Sequence, residues 1–158
     1  MEDKGTISGI ISEAELPTLV SKDVIDTILS VFPDMYGRLV GKRIDADYFL
    51  EIIADGSLHA CDYLLGSDME MEPVTGYSFT SWEHGYGDFR LIPDLNSLRI
   101  CDWLDKTAIV ICDVYKENGI DLVEEAPRSI LKKQIKRLKT LGFQANIASE
   151  LEFYLFKD

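Results

Sequence analysis

Hydrophobic and polar positions along this chain change character near Ser21. Residues 1–17 mix Gly, Ser and acids without a sustained period, which predicts a loosely ordered N-terminal arm over about residues 1–20. After Ser21, a capping residue, Val24, Ile25, Ile28 and Leu29 fall on one helical stripe, and Asp23 suits the positive end of a first packing helix. Residues 31–44 read as a hairpin turning at Gly37, with Pro33 pointing to an edge or a bulge. A second helix is expected over 45–54, burying Tyr48, Phe49, Ile52 and Ile53 and stopping at Asp55-Gly56.

The next segment, 57–86, breaks the pattern. Gly66, Gly76, Gly85 and Pro73 are interleaved with Asp62, Asp68, Glu70 and Glu72, giving a long irregular stretch. Its aromatics, Tyr63, Tyr77, Phe79, Trp82 and Tyr86, argue against simple disorder. Short strands follow at 87–94 and 97–100. Residues 107–114, apolar on both faces, predict a central strand. Pro127 then opens an amphipathic helix whose buried stripe is Ile130, Leu131, Ile135, Leu138 and Leu141, ending at Gly142. Lys132, Lys133, Lys136, Arg137 and Lys139 form its solvated face, or a face for an acidic neighbouring subunit. The last strand is expected at 150–156. The sum is an α+β chain with a mixed sheet.

Composition narrows the class. The chain has 158 residues, 46% of them hydrophobic, and a net charge of −12, so it is globular in character and a poor general partner for nucleic acid or an anionic membrane. No apolar run reaches the roughly 20 residues of a membrane helix and the N-terminus lacks the pattern of a signal peptide, which favours the cytoplasm. Cys61, Cys101 and Cys112 form no Cys-x-x-Cys and are expected to be reduced; His59 and His84 sit in no catalytic or zinc spacing. Gly41-Lys42-Arg43 lacks the upstream glycine and following helix of a phosphate loop.

The candidate chemistry lies in the final segment. On a strand, Glu150, Glu152, Tyr154 and Phe156 share one face, which sets two carboxylates side by side. Buried, such a pair would need a cation, a base or a proton, and hard cations such as Mg²⁺ or Mn²⁺ prefer carboxylate oxygen. For an arbitrary strand a solvated face is the commoner explanation of Glu-x-Glu, since Glu is so rarely buried.

Five blocks, in order, resemble the glutamine synthetase family: Asp34-Met35-Tyr36-Gly37-Arg38-Leu39-Val40-Gly41-Lys42-Arg43, Asp88-Phe89-Arg90-Leu91-Ile92-Pro93-Asp94, Thr107-Ala108-Ile109-Val110-Ile111-Cys112-Asp113-Val114, Pro127-Arg128 and Glu150-Leu151-Glu152-Phe153-Tyr154-Leu155-Phe156. The resemblance implies a β-grasp domain over 21–125, followed at 126–158 by the helix and first strand of a truncated α/β catalytic domain. It implies an ATP-dependent ligase that phosphorylates the γ-carboxylate of glutamate and lets ammonia or an amine displace the phosphate. Glu150 and Glu152 would each ligate one of two Mg²⁺ or Mn²⁺ ions. It further implies homo-oligomeric rings in which the small domain closes a neighbour's site, and an incomplete reaction in this chain alone. Leu65, Gly66, Ser67, Asp68 and Asp88 fall on the substrate side. Leu65 stands where ammonia-using members carry an Asp, which tilts the reading toward a larger amine such as a polyamine. A diverged, non-catalytic member of the family is the competing reading.

Overall fold

The computed structural model describes residues 9–53, 56, 58–83 and 85–157. The chain runs α1 (Leu16–Ser21), β1 (Thr27–Pro33), β2 (Leu39–Asp45), α2 (Ala46–Ile52), β3 (His59–Cys61), a 3-10 turn at Asp62–Leu65, β4 (Asp88–Pro93), a second such turn at Leu95–Ser97, β5 (Arg99–Ile100), β6 (Thr107–Tyr115) and α3 (Pro127–Thr140). The sheet order is β2-β1-β6-β4-β3, with β5 also on β6. The β1–β6 pair is parallel and every other pair is antiparallel, so the sheet is mixed, as expected.

The sheet is built around β6. Ala108, Val110, Cys112 and Val114 are all buried, and strands lie on both sides of it, which matches its doubly apolar sequence. Phe32 and Phe89 meet edge to face at 5.2 Å across the core. Burial pushes the Cys112 thiol up to about 12, with the neighbouring Asp113 charge adding to it. All three cysteines are free thiols.

The first helix expected from the sequence is not there. Val24, Ile25, Ile28 and Leu29 have a helical spacing, but Ile28, Ser30 and Phe32 are all fully buried at a period of two. The segment becomes β1 because it ladders to β2 on one side and to β6 on the other, a non-local gain that outweighs a helical stripe. The helix instead forms one step earlier, inside the supposed arm. Ser12 donates its backbone N–H and its hydroxyl to Glu15 Oε2 at 2.9 and 2.6 Å, which ties down the turn before the helix, and Leu16 packs into the core. Residues 1–8 of that arm lie outside the described residues.

The hairpin forms as expected, yet Pro33 does not mark an edge. β1 is an interior strand, and Pro33 sits at its end, beyond the last β6 pair at Val31↔Ile111, where no donor to β6 is lost. Gly41 is fixed by close approach: a Cβ there would stand 2.1 Å from Ser30 O. Asp45 caps α2 by accepting from Tyr48 N–H at 3.1 Å. Phe49 and Ile52 are buried, but Tyr48 is exposed, and Asp55 lies outside the described residues.

Helix α3 starts at Pro127 and ends at Gly142 (φ +81°), with Phe143 N–H returning to Leu138 O at 3.0 Å. Its expected buried stripe is not buried: Ile130, Leu131, Ile135, Leu138 and Leu141 are 36–62% exposed, and Ser129 is the one buried residue of the helix. The expected strand at 150–156 is extended but unpaired, because no neighbouring strand supplies a ladder among the described residues.

Candidate functional site

Three groups of residues from the sequence reading occupy three different surroundings. The loop residues are built into the fold. Leu65 closes the first 3-10 turn and is part of the hydrophobic core, 5% exposed. The expectation that it offers apolar surface to an amine is therefore corrected: a residue following Asp62-Tyr63-Leu64 in a tight turn against the sheet is driven inward by its own apolar side chain. Gly66 behind it has no room for a side chain, since a Cβ would sit 2.8 Å from Thr80 Cγ2. Ser67 donates its hydroxyl to Tyr63 O, and Asp68 Oδ1 accepts from Glu70 and Glu72 N–H at 3.0 and 2.9 Å, which fixes the following turn.

The irregular segment is held together by half-buried Asp62 and buried Asp34. Asp62 accepts from Thr80 Oγ1 at 2.9 Å and from Gly87 N–H at 3.1 Å, joining both ends of the segment. Asp34, almost fully buried, accepts from the N–H groups of Tyr36 and Arg38 and from Arg38 Nε at 2.6 Å. Burial alone would raise its carboxyl, but the Arg38 and Tyr36 hydrogen bonds outweigh this and hold it below the usual range. Arg38 continues to the carbonyl oxygens of Asp68 and Met69, both at 2.8 Å, and so clamps the hairpin turn onto the loop that carries Ser67 and Asp68. Asp88 stands at the start of β4, exposed, paired in register with Cys61. The loop and Asp88 are thus brought to one end of the sheet. Tyr63 and Trp82 each meet Tyr86 edge to face nearby.

A second polar cluster ties α3 to the sheet. Arg128 spans Asp113 Oδ1 on β6 at 2.9 Å and Asp94 Oδ2 after β4 at 2.7 Å, and Lys132 also bonds Asp113. Burial opposes the charge on Asp94, yet Arg128 and Asn96 hold its carboxyl low. The Pro-Arg pair and the two distant Asp residues were visible as residues in the sequence; that they form one network was not.

Glu150 and Glu152 are far from this organisation. Both are exposed on the extended segment after α3, and neither has a hydrogen bond or ion pair among the described residues. Tyr154 and Phe156 lie with ring centroids 6.4 Å apart, as alternate residues of an extended chain do. Two free carboxylates on alternate positions suit a hard divalent cation in charge and donor type. They supply only part of the six or more oxygens such an ion takes, and no group of three potential ligands occurs among the described residues. No helix among those residues is long and apolar enough to cross a membrane.

Residues 124–158, which carry α3 and the terminal carboxylates, match the family model for the glutamine synthetase catalytic domain. Over 144 residues, 91% of this chain and 31% of the relative, the chain is 42% identical to the γ-glutamylethanolamide synthetase of Streptomyces coelicolor. It is 40% identical to the glutamate–isopropylamine ligase of a Pseudomonas species, over 88% of this chain and 30% of that one. Human lengsin is 32% identical over 78% of this chain and 24% of its own length. The fold is shared with a solved GmaS/ADP complex at a TM-score of 0.57 and 22% identity, covering 80% of this chain and 26% of that one. The chain belongs to the glutamine synthetase family. It spans about a third or less of the length of the curated relatives it matches.

Proposed function

We propose that this chain is the N-terminal portion of an ATP-dependent ligase that joins the γ-carboxylate of glutamate to an amine through a γ-glutamyl phosphate. The observation that carries the reading is the 42% and 40% identity, over nearly the whole chain, to two ligases named for substituted amines. In this reading residues 21–125 form the small β-grasp domain and 126–158 begin the catalytic domain. The exposed stripe of α3 packs against the remainder of that domain. Glu150 and Glu152 would each help to hold one of two Mg²⁺ or Mn²⁺ ions, a group that would supply positive charge beside a transferring phosphoryl group.

The loop at 65–68 and Asp88 sit on the substrate side, where the small domain closes a neighbouring subunit's site in a cytoplasmic homo-oligomeric ring. The preference for a substituted amine is supported by those two relatives and no longer by Leu65. Since Leu65 belongs to the core, Leu65→Asp tests folding rather than specificity. By itself the 158-residue chain is expected to turn over neither ATP nor glutamate and to bind Mn²⁺ weakly, which calorimetry would read directly.

The test uses the full-length gene product carrying this chain, assayed for glutamate-dependent phosphate release with ammonia, ethanolamine, isopropylamine and putrescine. A kcat/KM for one substituted amine at least about tenfold above that for ammonia is the expected result. Equal or better use of ammonia would make plain glutamine synthesis the better reading, and no turnover with any amine would favour the non-catalytic one.

A further inference from the structure

Residues 66–74 form a small closed loop that fixes its own shape. Val74 N–H donates to Gly66 O at 2.8 Å and Asp68 N–H to Glu72 O at 2.9 Å, Ser67 bridges Pro73, and the Asp68 carboxylate accepts from Glu70 and Glu72 N–H. Met71, at φ +67°, is held in the left-handed region that side chains rarely adopt, in a turn closed by its N–H to Asp68 O at 3.2 Å. These bonds run within the loop. They set its shape and leave its placement on the sheet to contacts from outside.

At the base of the loop, Gly66 N–H and the Ser67 hydroxyl donate to Tyr63 O at 2.8 and 2.9 Å. Its tip is held from the hairpin turn between β1 and β2. There Arg38 divides its guanidinium three ways: Nε donates to Asp34 Oδ2 at 2.6 Å, and the two terminal nitrogens donate to Met69 O and Asp68 O at 2.8 Å each. Asp34, 2% exposed, is itself fixed by the N–H groups of Tyr36 and Arg38, and so turns the rest of the fork toward the loop. The guanidinium also lies 5.2 Å from the centre of the Tyr36 ring. A planar fork meets three spread acceptors at once; a lysine ammonium, a compact point charge, does not.

The surface that results faces outward. Met69 and Met71 are exposed, as is Tyr36 beside the clamp. Burying Asp34 and holding Met71 left-handed both cost stability, yet what they secure is the position of exposed side chains and backbone, and such costs are met where placement serves function.

We infer that Arg38, oriented by Asp34, is a positioning residue for amine use: it holds loop 66–74 where that loop bounds the amine's end of the active site. This rests on the ligase reading, which sets residues 65–68 on the substrate side. Arg38 touches no reactant and acts through the loop.

The experiment uses the full-length gene product and compares wild type with Arg38→Lys, which keeps the charge and loses the fork, and with the milder Asp34→Asn. Steady-state kinetics are measured separately for the preferred amine and for ATP, and hydrogen exchange is followed in peptides covering 66–74 and β6. In Arg38→Lys the KM for the amine should rise about tenfold, with kcat at saturating amine within about threefold and the KM for ATP within about twofold of wild type. Asp34→Asn should raise the amine KM several-fold, and in both variants the loop should exchange faster while β6 does not. Arg43→Lys, exposed on the same hairpin, should match wild type.

A role in stability alone gives a different result: the active fraction falls, so kcat drops and both KM values stay, and that outcome overturns the inference. An equal rise in both KM values, or loop exchange unchanged in Arg38→Lys, overturns it as well. The ligase reading is judged on wild type first. A wild type that uses no amine removes that reading, and this inference with it, before any variant is compared.

Discussion

Phe32, Phe49 and Phe89 are 0–1% exposed, whereas Phe143, Phe153 and Phe156 are 65–89% exposed. The same side chain thus lies at opposite extremes in two regions of one chain. In the sheet region Ile28, Phe32 and Leu91 share one buried core with Leu16 of α1 and Phe49 of α2, with β6 in the middle of the sheet. From α3 onward the pattern is equally apolar, yet Ile130, Leu131, Ile135, Leu138 and Leu141 stay 36–62% exposed. Instead α3 is attached by charge, through Arg128 and Lys132 to Asp94 and Asp113. The difference shows that amphipathic sequence states which face wants burial, while burial itself needs a partner surface.

The largest effect that would sharpen this comparison is in the core. Phe49→Ala should lower stability by about 3–5 kcal/mol, whereas Phe153→Ala should change it by less than about 0.5 kcal/mol. Denaturant titration of this chain measures both, and a comparable loss for Phe153 would mean that the terminal segment packs on the sheet.

Next in size is the polar attachment. Arg128→Met removes the cation between Asp94 and Asp113 and should cost about 2 kcal/mol, read as faster amide exchange in α3 with the sheet amides little changed. Uniform loss of protection would show that the two regions unfold as one.

The pH dependence follows from the carboxylates. Asp34 and Asp94 have folded pKa values below their unfolded ones, so their contribution is present above the usual carboxylate range. It is lost as the pH falls through the lowered folded values. Stability should therefore fall on acidification below about pH 4, and Asp34→Asn should flatten that part of the curve. An unchanged slope in Asp34→Asn would remove Asp34 from the account.

The smallest effect belongs to the exposed stripe. Leu131→Gln should be neutral within about 0.5 kcal/mol in this chain, although the same position is apolar enough to have predicted burial.

Much of the fold was legible from local pattern. Residues 107–114 read as a central strand because both faces are apolar, Pro127 and Gly142 bracket α3, and a helix was expected from Asp45, where α2 has its cap. The ordered blocks also disclosed the family, and Glu150 and Glu152 stood out as a carboxylate pair on alternate positions. Residues 24–29 were misread because Val24, Ile25, Ile28 and Leu29 have a helical spacing, while the strand's own period, Ile28, Ser30 and Phe32, runs through a serine and is settled only by pairing with β2 and β6. The Glu-x-Glu segment has the alternation of a strand but no ladder, since a strand is a property of two segments and alternation is a property of one. Leu65 was placed by motif on the substrate side; its turn and the core behind it turned the side chain inward. The sequence by itself therefore determined residue chemistry, local caps and turns, and the family order of its blocks. Which apolar faces are covered, which acids share Arg38 and Arg128, and where Ser129 is left without a partner depend on segments many residues apart, and those the tertiary structure alone decided.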